Sequence, residues 1–229
     1  MNIKKEGVGA IVFGFLSILF FPVIMLSLAF ALLSIFLGFK ARKRDCKKAG
    51  AAGISLGILS LIIIIFYLVI RLGTGFSPFV IYESCSMYHS ENFNSWWENN
   101  KEFYEANQIT KSEFNNFPMK NGLNKGDVIF LWKKEAYAMG DTILINPNEE
   151  SLAKNPIMHR IVSMNPVETK GDHNLQQLTK ENNQLKIDET NIGQDRILGK
   201  AIFGIPYLGF TKLTFFEFTK NPEQRGSCE

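Results

Sequence analysis

The sequence predicts a membrane-anchored protein in which N-terminal transmembrane α-helices, within residues 1–75, precede a mainly β extracytoplasmic domain, residues 76–229, that carries a helical insert at 91–118. Three observations carry this. Two uncharged apolar runs lie near the N-terminus, a strongly basic segment separates them, and the remainder alternates short β-branched and aromatic runs with turn residues. Uncharged runs beyond about 20 residues read as membrane spans, and turn-punctuated short strands with little helix read as an all-β sheet or barrel-like domain.

The first run, 8–39, would rise about 50 Å as one helix, against a hydrocarbon core of about 30 Å. A single span kinked at Pro22 is therefore expected, in preference to two passes turning at Phe21-Pro22. The arms of such a hairpin, at roughly 15 residues each, fall short of the usual minimum of about 17. The run is too long for the apolar region of a cleaved signal peptide, and no small-residue cleavage site interrupts it, so retention in the membrane is expected. The second span is 49–70. Between them, residues 40–48 hold Lys40, Arg42, Lys43, Arg44, Lys47 and Lys48. Short loops this basic stay on the cytoplasmic side, which places everything after Ile70 outside. Gly50, Ala51, Ala52, Gly53 and Gly57 are small enough to let two spans pack closely in lipid.

Beyond the membrane half, Phe76–Tyr82 reads as a short strand leading to Ser84 and Ser86. In the insert, Trp96, Trp97, Phe103, Tyr104 and Phe114 recur at roughly helical spacing, so one or two amphipathic helices are expected. Their aromatics serve either to lie on the membrane surface or to pack on the neighbouring sheet, and the spacing leaves both open. Strands are expected at 127–132, 142–145, 157–162 and 196–203, with a short one near 185–187, and a frayed tail over 219–229.

The net charge of +3 is mild and its basic residues cluster at 40–48, so nucleic acid is excluded as a partner. Three cysteines, Cys46, Cys85 and Cys228, match no metal spacing and indicate no disulfide framework, a Cys85–Cys228 bridge being the minority alternative. No metal or cofactor is expected.

A serine becomes a nucleophile only when a base takes its proton, and the chain offers three histidines. His89, three residues past Ser86, reads as a surface residue on a turn. His173, beside Asp172, reads as solvent-exposed. His159 stands inside an apolar strand with Arg160 on the opposite face, where it is either a satisfied core residue or a base.

Ser84-Cys85-Ser86-Met87, Gly126-Asp127-Val128-Ile129, Ile157-Met158-His159-Arg160-Ile161-Val162, Thr169-Lys170-Gly171-Asp172-His173-Asn174, Leu198-Gly199-Lys200 and Ile205-Pro206-Tyr207-Leu208-Gly209 follow one another in order. This series resembles signal peptidase I, in its archaeal and endoplasmic-reticulum branch, where a histidine is the base. The resemblance implies a signal-peptidase-like β fold and a serine endopeptidase with Ser86 as nucleophile, His159 as base, Asp172 as the carboxylate holding the imidazole or the nearby network in orientation and Ser84 supporting the oxyanion. It implies signal peptides of secretory preproteins as substrates, which would add as an extended strand beside the one leading to Ser86. The lipid bilayer and the protein-export machinery are the further partners it implies. The chain departs from the pattern in having His89 where the family has proline. The family's second aspartate, about six residues past the first, falls at Leu178, leaving Asp188 and Asp195 as candidates for a second acid. The insert at 91–118 is also longer than the family's. The alternative reading is a non-catalytic relative acting as a binding or accessory membrane subunit.

Overall fold

The computed structural model describes residues 3–20, 23–44, 46–74, 77–133, 136–216 and 228. It divides into two units: Met1–Pro78 with Leu208–Arg225, and Phe79–Tyr207 with Gly226–Glu229. The boundary expected at 75/76 thus falls at 78/79, and a C-terminal segment groups with the helices.

In the first unit, helices α1 (Ile3–Leu19), α2 (Ile24–Arg42) and α3 (Lys47–Thr74) are followed much later by a short helix at Phe210–Phe216. Two of them, α2 and α3, are long and apolar enough to cross a membrane. The expected single span over 8–39 is corrected: the run is broken between α1 and α2, which lie antiparallel. Ser34 Oγ of α2 sits 2.6 Å from the Ala10 carbonyl and 2.8 Å from the Gly53 carbonyl, sharing its proton between α1 and α3. Glu6 near the start of α1 pairs with Lys40 at 2.8 Å and Arg44 at 3.0 Å, at the far end of α2. The physical reason is close approach. A Cβ on Gly53 would stand 2.4 Å from the Ala10 Cβ, so the small residues expected to join two helices join three instead. The proposed kink residue, Pro22, lies outside the described residues.

The second unit is built on one antiparallel sheet of β1 (Phe79–Ile81), β2 (Val128–Trp132), β3 (Thr142–Ile145), β4 (Ile157–Met164), β5 (Val167–Lys170) and β6 (Ile197–Ile205), in the order β1-β2-β6-β3-β4-β5. One face of β3, β4 and β6 buries Ile143, Ile145, Ile161 and Ile197 with Ile192. The insert forms α4 (Phe93–Ala106) and α5 (Lys111–Phe114). Asn92 caps the first by accepting from the Asn94 and Ser95 N–H groups, and Thr110 with Glu113 forms a reciprocal capping box on the second, each satisfying backbone donors that a helix start leaves unpaired.

Of the two uses open for the insert's aromatics, the structure takes the second. Trp96, Trp97, Tyr104, Ile109 and Phe114 form one buried cluster with Val162 of β4. Two elements differ from expectation. No strand forms near 185–187, where Asn183 instead ties the Ile187 N–H and carbonyl into a turn. The strand β5, Val-Glu-Thr-Lys, has no apolar run to announce it and forms because β4 supplies its register, Arg160 opposite Lys170 and Ile161 opposite Thr169. Of the tail at 219–229 only Cys228 lies among the described residues.

Candidate active site

The chain leaves β1 at Tyr82, whose N–H donates to the Asp127 carbonyl while the Gly126 N–H donates back to the Tyr82 carbonyl. It then turns through Ser84–Met87, which is pinned from several sides. Met87 is fully buried, its carbonyl accepts from the Leu123 N–H, and the Ser86 carbonyl accepts from the His173 N–H at 2.8 Å. Cys85 is joined to Cys228 by a disulfide with the two Cα atoms 5.6 Å apart, so the minority alternative is the one found. Within this turn Ser86 Oγ lies 3.2 Å from Ser84 Oγ and 3.1 Å from the Tyr82 phenol.

His159 sits in β4 opposite Ile143, and strand alternation sends its ring to the face away from Arg160. Its Nε2 is 2.8 Å from Ser86 Oγ. Its Nδ1 is hydrogen-bonded to Glu189, whose carboxylate also accepts from Thr169 Oγ1 at 3.0 Å and from the Leu178 N–H at 2.9 Å. A carboxylate can only accept, so the network assigns the ring proton to Nδ1 and leaves the Nε2 lone pair facing the serine hydroxyl. Gly171 makes the approach of base and nucleophile feasible. A Cβ there would stand 2.8 Å from His159 Nε2 and 2.7 Å from the Ser86 carbonyl oxygen, so any side chain would wedge the two apart.

Asp172 makes no hydrogen bond to His159 and holds the neighbouring network instead. Its fully buried carboxylate accepts from Arg160 Nε at 2.9 Å and Nη2 at 2.7 Å, from the Tyr104 hydroxyl at 3.0 Å, and pairs with His89 Nε2 at 3.1 Å. Burial pushes this carboxyl up, but the Arg160 charge and the hydrogen bonds from His89 and Arg160 outweigh it and hold it well below the usual carboxylate range. Arg160 in turn donates to the carbonyls of Pro118, Met119 and Gly140 and lies 4.7 Å from the Phe114 ring centroid. This ion pair locks the end of the insert to β4 on the face opposite the nucleophile.

His89 is buried and not at the surface: it stacks on Trp96 with centroids 3.7 Å apart, because the insert folds over the residues that follow the serine turn. Burial pulls its imidazole down, with Asp172 pulling the other way. His173 is exposed, its Nδ1 3.2 Å from the Tyr88 carbonyl. Asp188 spends its carboxylate on the Thr190 N–H and hydroxyl, and Asp195 is exposed in a single 3-10 turn; neither bonds to His159. The acid that does is Glu189, adjacent to a candidate but on the other side of the chain. Ile187 and Glu189 are buried while Asp188 and Thr190 between and after them are half-buried. Counting in twos from Ile187 would have found it.

Lys170 is also buried beside the site, its Nζ 3.1 Å from the Gly171 carbonyl and 5.0 Å from the Phe103 and Tyr104 ring centroids. Burial pulls its ammonium from 10.5 down to about 8, against the opposing pull of Asp172 and Glu189. Because the folded state releases this proton earlier than the unfolded chain, the charge costs stability below about 8, and the cost fades as pH rises to the unfolded value. Lys170→Met is therefore expected to gain about 3 kcal/mol at neutral pH. In urea titrations at several pH values its lead over the native chain should shrink above about 8; a lead independent of pH would refute the buried charge as its cause.

Among the described residues no group of three or more His, Cys, Asp or Glu side chains is arranged to hold a metal ion. Compared with known proteins, the chain matches no family model, no curated protein and no solved structure. A hydroxyl, an imidazole that can accept its proton and a carboxylate holding the imidazole's other nitrogen are the parts needed for acyl transfer through a covalent serine intermediate.

Proposed function

We propose that this chain is a membrane-bound serine endopeptidase of the signal peptidase I type, which removes signal peptides from exported preproteins. The observation that carries the reading is the Ser86–His159–Glu189 relay, with Nε2 at 2.8 Å from the nucleophile and Nδ1 held by a buried acid. The ordered series of motifs around Ser86 and His159 supports the substrate class.

In this reading His159 takes the Ser86 proton as Oγ attacks the scissile carbonyl, then gives it to the departing amine. Glu189 stabilises the imidazolium formed in between and keeps the ring in its acting tautomer. Ser84, exposed and beside the nucleophile, is placed to donate to the oxyanion. Asp172 is assigned a structural part, holding Arg160.

Extracytoplasmic location has two supports. The basic segment at 40–48 favours the cytoplasm, and with α1 paired to α2, Glu6 brings the start of α1 to that same end. An α1–α2 hairpin that enters and returns leaves α3 to carry the chain outward, so the sidedness of the second unit does not depend on whether the first run spans once or twice. The Cys85–Cys228 disulfide fits an oxidising compartment. The partners are then the bilayer, signal peptides and the export machinery.

The test is to incubate the full chain, purified in detergent with its disulfide intact, with a preprotein and to sequence the new N-terminus. Cleavage just beyond the apolar segment is expected; an uncut preprotein in the presence of chain whose Ser86 reacts with a phosphonate would overturn the substrate assignment.

A further inference from the structure

The hydrogen-bond directions around Ser86 can be followed proton by proton. Glu189 accepts, so His159 Nδ1 donates; Nε2 therefore accepts, and the Ser86 hydroxyl must spend its one proton on it. Towards every other neighbour Ser86 Oγ is then an acceptor. One neighbour is the buried Tyr82 hydroxyl at 3.1 Å, whose oxygen accepts the Met87 N–H at 2.7 Å. Its proton is free to point at Ser86, and Oγ has two lone pairs: one for Tyr82, and one that takes the Ser84 proton at 3.2 Å in the resting site and is released for attack when Ser84 turns that proton to the oxyanion.

We propose that Tyr82 is a catalytic residue: its phenol O–H donates to Ser86 Oγ and stabilises the negative charge that gathers there when this oxygen attacks and again when it leaves. The role rests on the endopeptidase reading above. In acylation the Oγ proton passes to His159 Nε2 as the Oγ–C bond forms, then to the amine as the C–N bond breaks. In deacylation water gives a proton to Nε2 while its oxygen bonds to the acyl carbon, and Oγ departs and takes that proton back. Charge builds on Oγ in both halves, and the phenol faces it in both. Two features suit Tyr82 to donating. The Met87 N–H polarises the phenol from behind, and burial raises its pKa above the ordinary value, against the pull of its hydrogen bonds to Ser84, Ser86 and Met87, so the proton stays on the ring oxygen.

The test uses the full chain in detergent and two probes: a fluorophosphonate that reacts with an activated serine, and a peptide spanning a signal-sequence cut with an ester at the scissile position, which separates acylation from deacylation. Tyr82→Phe is expected to slow acylation, deacylation and phosphonylation by roughly tenfold to a hundredfold each, as for the loss of a hydrogen bond to a charged group, with KM little changed. A turn that merely shifted would raise KM and leave deacylation alone. Should Tyr82→Phe not fold, 3-fluorotyrosine at position 82 keeps the ring and the oxygen that Met87 binds while strengthening the donor, and faster deacylation is expected. Native chain that reacts with both probes, beside a Tyr82→Phe chain that reacts as fast or a fluorinated chain with unchanged deacylation, overturns the role of Tyr82 alone. Native chain whose Ser86 takes neither probe overturns the hydrolase reading and this role with it.

Discussion

Replacing Ser86 by alanine is expected to abolish preprotein cleavage, with kcat falling by a factor on the order of 10⁶ if the site works as other serine relays do. His159→Ala should fall nearly as far, and the double variant no further than either single one, because nucleophile and base act as one unit. Neither change should unfold the protein. Ser86 is half-buried, its backbone carbonyl is held by the His173 N–H whatever its side chain, and the Cys85–Cys228 bond gives an independent report of folding. Cleavage that survives in either variant would remove the relay from the mechanism.

The second large effect separates two acids. Glu189→Gln is expected to lower kcat by roughly 10⁴, because an amide at this position can donate to Nδ1 and so favour the tautomer that turns a proton, and not a lone pair, towards Ser86. Asp172→Asn should behave oppositely. It leaves the wholly buried Arg160 without its counter-charge, and breaking a buried pair in this way costs about 3–5 kcal/mol. Activity per folded molecule should survive at a permissive temperature.

The pH dependence adds a second readout. The Asp172 carboxyl lies below its usual range in the folded protein, so the stability it contributes is present above the unfolded carboxylate value and is lost as pH falls towards the folded one. Chemical unfolding at decreasing pH should therefore show an acid-dependent loss in the native chain that is smaller in Asp172→Asn. An Asp172→Asn chain that is stable but inactive would return Asp172 to the relay and displace Glu189.

The strands β2, β3, β4 and β6 were legible because each is an apolar run bounded by turn residues, and the insert because its aromatics recur at helical spacing. Ser86 and His159 were legible as residue types in apolar surroundings. The strand β5 was not, since Glu168, Thr169 and Lys170 carry no apolar signal and are held by pairing with β4. His89 reads as exposed because it falls on a turn just past the serine, while the residue that covers it, Trp96, belongs to the insert.

The layout is written in the residues locally: apolar runs and a basic segment set a membrane part apart from a β-rich part, and both patterns are readable within a window of a few turns or one strand. Which acid meets which base is set by the folding of distant segments onto one another. Asp172 and Glu189 both lie within reach along the chain, but one is claimed by Arg160 on one face of β4 and the other by His159 on the opposite face. The folding back of the first apolar run was likewise decided in three dimensions, by Gly53 admitting Ala10. A partner's identity depends on which face of a strand or helix a side chain occupies and on what the rest of the chain brings to that face, and neither is contained in a residue's own neighbourhood.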